Sequence, residues 1–423
     1  MKSTKYFQIL LLIVITFLAG YYAGVSKISL DWKSYKPTIT VSSKEPPQTI
    51  TNVNFSNFWT VWQNLENKYY DKSKLDPQKL LNGAISGMVQ SIGDPYTTYL
   101  PPVSNTNFKQ GLAGQFQGIG AELGMKDKQI IVVAPLDDSP AQKAGIRAGD
   151  AILKVDNKLT EGWTLSQAVE KIRGPKDTMV VLNILHKDSK MPSDIKIQRG
   201  VITVKSVAGW IKKVKDVDAI NLNTSLKKKQ EDKIIYIRLS QFGDSTNKDW
   251  LALVNDLYLK SQNDKSVKGI IFDLRNNPGG YLTDATFIAG EFLKEGRTVV
   301  MQEDGEGQRT NLSVSRRGIF LDTPLVVLLN KGSASASEIV SGALRDYDRA
   351  KLIGETSFGK GTIQDSQDLG DGAGLHITIA KWLTPNGNWV HEKGLKPDIT
   401  VALDQKDLAH DTQLEKAIEE LVK

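Results

Sequence analysis

The chain has 423 residues, 40% of them hydrophobic and 24% charged, a balance typical of water-soluble folded chains and long enough for two or three domains. It contains no cysteine, which excludes disulfides, thiolate nucleophiles and zinc–thiolate sites. The net charge of +6 is scattered; its one run, Lys227 to Lys229, adjoins Gln230, Glu231 and Asp232 and reads as a solvated loop, not a nucleic-acid surface.

In chain order, Lys2 and Lys5 precede a stretch from Tyr6 to Val25 with no charged residue. About 20 apolar residues span a bilayer, and lysines before them hold the N-terminus in the cytoplasm. Residues 1–25 are therefore expected to be a membrane anchor, or a signal peptide if Ala19, Gly20, Ala23 and Gly24 offer a cleavage site. Residues 26–54, polar and carrying Pro37, Pro46 and Pro47, read as a linker. Residues 55–106 are expected to be a helical segment. Phe58, Trp59, Trp62, Leu65 and Tyr69, then Leu80, Leu81, Ile85, Met88 and Val89, recur at helical spacing; Pro77 starts the second helix and Gly93-Asp94-Pro95-Tyr96 stops it. Residues 107–199 turn to short β-rich runs separated by Gly and Asp, the pattern of a small β module. Residues 200–423 hold apolar runs of strand length at 234–239, 267–274 and 325–329, each followed by a helical stretch; the first such helix carries Trp250, Leu251, Val254, Leu257 and Tyr258 on one face. Continuous apolar strands alternating with helices predict an α/β fold with a sheet covered on both faces. Sites on such sheets lie at strand ends.

Two strand ends carry unusual sequence: Arg275-Asn276-Asn277-Pro278-Gly279-Gly280, and the stretch from Asn330 to Glu338. Ser335 would stand where a strand turns into a helix, beside unpaired N–H groups able to hold an oxyanion. Ser335-x-x-Glu338 is equally a capping box, and small neighbours (Gly332, Ala334, Ala336) leave room for a substrate backbone. A serine nucleophile needs a base, and His186, His376, His391 and His410 are not at suggestive positions. Lys360, between Gly359 and Gly361, is an alternative; a lysine becomes a useful base only when burial lowers its pKa from about 10.4 toward roughly 7 to 8. Gln364 is spaced to orient that amine. The stretch from Gly354 to Lys360 also fits the first seven places of a phosphate-binding loop, but Gly361 replaces the Ser or Thr that would hold magnesium, and no helix pattern follows.

Taken together, the Gly332–Ile339 stretch, Phe358-Gly359-Lys360-Gly361 with Lys360 25 positions after Ser335, Gln364, residues 83–88 with Gly93-Asp94-Pro95-Tyr96, residues 273–280 and residues 393–399 resemble the carboxyl-terminal processing, or tail-specific, peptidases from about Phe55 to Val401. The resemblance implies a ClpP/crotonase-like α/β core with an inserted PDZ domain and a Ser/Lys endopeptidase acting through an acyl-enzyme. Ser335 would be its nucleophile, Lys360 its general base and Gln364 the group orienting the lysine. The oxyanion hole would come from the N–H of Ala336 and one from Gly279 or Gly280. Gly118-Ile119-Gly120-Ala121 resembles the PDZ carboxylate-binding loop, a setting in which backbone N–H groups capture a chain terminus while the tail adds as a strand. Arg173 matches an arginine that links a loaded PDZ domain to the protease, although Asp177 replaces a glycine common nearby. The partners implied are proteins with apolar free C-termini and a membrane through the N-terminal segment, with a homo-oligomer as a further option; no cofactor, metal or nucleic acid is expected. The setting would be the bacterial cell envelope, with the catalytic part outside the cytoplasm. A catalytically inert PDZ scaffold and a phosphate-loop nucleotide hydrolase are the alternative readings.

Overall fold

A computed structural model describes residues 53–423 except 127–128, 137–138, 148, 164, 188, 204 and 403–409, and before residue 53 only 11–17, 21, 28–33 and 36–41. The chain divides into two compact units, residues 1–81 and 82–423. In the first unit, residues 11–17 are helical, and no helix among the described residues is long and apolar enough to cross a membrane; the remainder of the 6–25 stretch, apart from Tyr21, lies outside the described residues. Within the stretch read as a linker, Ile28–Lys33 and Lys36–Val41 pair as an antiparallel hairpin. Ile28, Leu30 and Trp32 alternate with Ser29, Asp31 and Lys33, a period of two that the prolines concealed. Helix α1 (Ser56–Lys68) follows, and α2 (Pro77–Gln90) begins at the predicted proline and crosses into the second unit.

Unit 82–423 opens with Thr98–Leu100, which pairs with a strand near the end of the chain, and α3 (Pro102–Leu112). The β module contains β1 (Gln115–Gly118), β2 (Ala121–Lys126), β3 (Gln129–Pro135), β4 (Ala151–Val155), helix α4 (Leu165–Ile172), β5 (Met179–Leu185), β6 (Ser193–Gln198) and β7 (Gly200–Thr203). Its main sheet runs β6-β5-β4-β3-β2, and β1 pairs separately with β7. Ile130, Val132, Ile152, Val180, Leu182 and Ile184 fill a core of its own. Strand β2 is left at the edge, with its outer hydrogen-bonding groups open.

The larger α/β body contains β8 (Val207–Lys213), β9 (Lys233–Leu239), α5 (Thr246–Ser261), β10 (Val267–Asp273), α6 (Leu282–Ala289), β11 (Thr298–Asp304), β12 (Arg309–Ser313), β13 (Leu325–Leu329), α7 (Ala336–Asp346), β14 (Lys351–Gly354), β15 (Thr362–Leu369), β16 (Ala373–Leu383), β17 (Ile399–Thr400) and α8 (Thr412–Leu421). The main sheet is β8-β9-β10-β13-β14-β17, parallel from β9 onward. Alternate residues of its apolar runs enter different cores: Ile270, Phe272 and Val327 join the residues of α5, α6 and α7, whereas Ile271, Val326 and Leu328 join Leu414 and Ile418 of α8. Burial on both faces is why those runs are uninterrupted. A second, antiparallel sheet, β12-β11-β16-β15, takes Thr98–Leu100 against β16.

Candidate active site

The carboxyl ends of β10 and β13 lie side by side, and their loops are stitched together. Asn276 N–H donates to Asn330 Oδ1 at 2.8 Å, Ala334 N–H to Asn277 O at 2.9 Å, and the Ser333 and Ser337 hydroxyls to Leu274 O and Asn277 O. At the end of the second loop Ser335 takes φ 55° and ψ −116°, a conformation that side-chain-bearing residues rarely adopt and that costs on the order of 1–3 kcal/mol. Ser335 and Glu338 form the expected capping box at the start of α7. Glu338 does far more than reciprocate a cap. Fully buried, it accepts from Ser335 N–H at 2.8 Å and Lys360 N–H at 3.0 Å through Oε2, and from the Ser357 hydroxyl at 2.5 Å and Gly359 N–H at 2.7 Å through Oε1. One carboxylate thus clips the Ser335 turn to the Lys360 loop.

A cleft of about 670 Å³ brings together Ser335, Ala336, Gly279, Gly280, Lys360 and Gln364. Burial pushes the Lys360 amine below its ordinary pKa, opposed in part by the charges of Asp94 and Glu338. Gln364 donates through Nε2 to the Thr362 and Thr378 hydroxyls at 2.9 and 3.1 Å and makes no hydrogen bond to Lys360. The two glycines now part. Gly279 N–H is taken by Asn277 Oδ1 at 2.8 Å, whereas Gly280 and Ala336 N–H donate to no described residue. Gly279 instead provides closeness: at φ 96°, an added Cβ would lie 2.8 Å from Ser335 Cβ and 2.9 Å from Ala336 N.

Several residues of this cleft carried no legible signal. Phe108 and Leu112 of α3 form part of the wall, and α3 is fixed by Lys109 to Asp368 at 2.6 Å, by Gln241 Nε2 to Gly111 O, and by Asp244 N–H to Leu112 O. His376, set aside on position alone, lines the cleft with its ring edge-on to Phe108 at 4.5 Å, its pKa lowered by burial and then by the nearby Lys360 charge. His391 accepts weakly from Gly361 N–H at 3.4 Å. Sequence distance hid these residues; only pairing of β15 with β16 brings position 376 beside 364 and 366. After Lys360 the chain continues as strand β15 and not as a helix, which removes the phosphate-loop reading. Among the described residues no group of three or more His, Asp or Glu is arranged to hold a metal ion.

The PDZ-like loop is elsewhere. Ile119 is buried, Gly120 takes φ 74°, and the N–H groups of both donate to no described residue where the loop enters edge strand β2. Arg173 stacks over the Phe116 ring at 4.9 Å beside Gly118, outside the cleft. Asp177 adopts φ 68°, the left-handed conformation that explains a glycine there.

Comparison with known proteins places this geometry. The Peptidase family S41 profile matches residues 233–401, the PDZ domain profile residues 109–185, and the activating protease CtpB N-terminal domain profile residues 13–102. The chain is 34% identical over 392 residues to the carboxy-terminal processing protease CtpB of Bacillus subtilis strain 168, covering 92% of this chain and 75% of that protein. The chain belongs to the carboxyl-terminal processing proteases, serine-type peptidases with a PDZ domain. A probable CtpA-like serine protease of Staphylococcus aureus strain COL is 38% identical over 351 residues, 82% of this chain and 65% of that one. Among solved structures, the photosystem II D1 C-terminal processing protease superposes with a TM-score of 0.51 at 28% identity, covering 87% of this chain and 92% of the other. In this protease, then, the strained serine, the half-buried lysine and the free N–H pair share one cleft in a mixed α/β body joined to a PDZ module.

Proposed function

We propose that this protease cleaves exported or membrane proteins near their C-terminal tails, using Ser335 and Lys360 on a ClpP/crotonase-like core, through an acyl-enzyme. One observation carries the reading: Ser335, on a strained turn at a helix start, shares a cleft with a lysine whose pKa burial has lowered and with two backbone N–H groups that donate to no described residue. In this mechanism neutral Lys360 takes the hydroxyl proton as Ser335 Oγ attacks the scissile carbonyl. Gly280 and Ala336 N–H donate to the oxyanion that develops, each such donor being worth on the order of 3 kcal/mol in the transition state. The lysine ammonium returns the proton to the leaving amine, and the neutral amine then activates water against the acyl-enzyme. With Gln364 Nε2 committed to two threonines, its Oε1 is the atom left to receive a hydrogen bond from the ammonium.

The edge strand β2 and the Ile119 and Gly120 N–H groups, which donate to no described residue, support capture of an apolar tail and its free carboxylate by strand addition. Arg173 is assigned the coupling of that event to the cleft. The charge-free stretch from Tyr6 to Val25 supports attachment at the bacterial cell envelope with the catalytic part outside the cytoplasm. The test of the chemistry is a set of three variants, Ser335→Ala, Lys360→Ala and Lys360→Arg, assayed on a peptide with a free C-terminus. Each is expected to lose cleavage while staying folded, Lys360→Arg because a guanidinium does not deprotonate at working pH. Near-normal turnover in any of them removes the Ser/Lys mechanism.

A further inference from the structure

Among the described residues, the Lys360 amine has no hydrogen-bond partner, yet it is not bare: the ring of Tyr96 stands over Nζ, 5.2 Å from its centroid. Tyr96 comes from Gly93-Asp94-Pro95-Tyr96, the turn after α2, and it lines the cleft. The turn is locked from two sides. Tyr96 N–H and the Thr97 hydroxyl donate to Asp94 at 3.0 and 2.6 Å, and Thr97 Oγ1 accepts from Thr378 N–H of β16 at 3.0 Å. The Tyr96 ring meets His391 edge-on at 6.1 Å; His391 stacks on Trp389 at 5.0 Å, and Trp389 Nε1 donates to Gly361 O at 2.8 Å. The ring over the amine is therefore tied to the same backbone that carries the amine. Gln364 shares the Thr378 anchor, donating to its hydroxyl at 3.1 Å.

We infer that Tyr96 is a positioning residue for the general base, its ring serving as the cover that keeps water from the Lys360 amine and holds it within the cleft. This rests on Lys360 acting as the base. Two opposing effects meet at the ring. Its π face attracts an ammonium, which favours the charged form. Excluding water disfavours the charged form, and burial is the largest influence on this amine. Asp94 and Glu338 face the amine and favour its charge; His376 lies near enough to feel it, and Ser335 is neutral. The cover is thus what tips the amine toward neutrality, while its π face remains to attract the ammonium formed as Ser335 attacks.

The experiment compares full-length wild type with Tyr96→Phe, Tyr96→Leu and Tyr96→Ala, reading kcat/KM against pH on one free-acid peptide, with folding checked by circular dichroism. In Tyr96→Ala water reaches the amine, so the acid limb is expected to move alkaline by about one unit, with roughly tenfold loss at neutral pH and recovery toward wild type at high pH. Tyr96→Phe should keep the wild-type limb, and Tyr96→Leu, which retains an apolar cover, should move it by less than half as much as Ala. A parallel loss at every pH in Tyr96→Ala, or no change at all, overturns the inference, as does a limb in Tyr96→Phe that moves as far as in Ala. Lys360→Ala run alongside separates the failures: an active Lys360→Ala removes the base itself, whereas an inactive one with an unmoved Tyr96→Ala limb removes only the cover.

Discussion

At the residue scale, Glu338 shows how one buried group can serve two loops. Its four hydrogen bonds join Ser335 to Ser357, Gly359 and Lys360, and hydrogen bonds to a charged group contribute about 1.5–3 kcal/mol each when intact. Glu338→Ala should leave four donors unpaired in a buried place; we expect kcat/KM to fall at least about 100-fold and Tm to drop, measured by peptide cleavage and thermal unfolding. Glu338→Gln turns an NH2 toward those donors and should lose activity with a smaller drop in Tm. For Lys360, burial lowers the pKa and so favours the neutral amine that the proposed general base requires. Activity should therefore rise with pH through an apparent pKa below about 10.4, the value of a free lysine, and EDTA should leave it unchanged. A profile that falls as pH rises across that range contradicts the assignment. The family resemblance nominated Ser335 and Lys360, but sequence exposed only the capping half of Glu338, because the residues 19 to 22 positions away that bind it have no local signature.

At the element scale, the loop after β10 meets the helix start after β13, and glycines set how close they come. Gly280 takes φ 141° in a bridge to Phe242, where an added Cβ would lie within 2 Å of Phe242 O. Gly280→Ala should displace the loop and with it one of the two proposed oxyanion donors; removing one such donor costs about 100- to 1,000-fold in kcat. Steady-state kinetics should show that loss mainly in kcat, and a change confined to KM would assign Gly280 to substrate binding instead. The sequence could nominate both glycines but not separate them, since the choice depends on Asn277 Oδ1 occupying one N–H. The apolar strands at 234–239, 267–274 and 325–329 were legible as strands because both faces of each are buried. The second sheet was less so: β15 and β16 mix polar and apolar residues, including Gln364, Ser366 and His376 along the cleft, and their pairing is fixed by tertiary contacts.

At the scale of the whole molecule, the PDZ-like loop and the cleft occupy different parts of unit 82–423, and α3 walls the cleft just before the chain enters the β module. If Ile119 and Gly120 N–H groups hold a free carboxylate, amidating the substrate terminus should weaken apparent affinity by about tenfold or more, measured with paired acid and amide peptides. Equal rates for the pair would rule out tail recognition and leave the Ser/Lys chemistry standing. A truncation probing the module must spare α3, because removing Phe108 and Leu112 would open the cleft itself. By itself the sequence determined the alternation of buried strands and helices, the β module, the serine at a helix start and the lysine between glycines, because each of these is written in neighbouring residues through periodicity and local backbone demands. Only the tertiary structure decided that Gly280 and not Gly279 has a free N–H, that Glu338 clips two loops, that Tyr96 covers Lys360 and that His376 and α3 reach the cleft. Those facts depend on distances between residues far apart in the chain, and hydrogen bonds and burial take their partners from space and not from order.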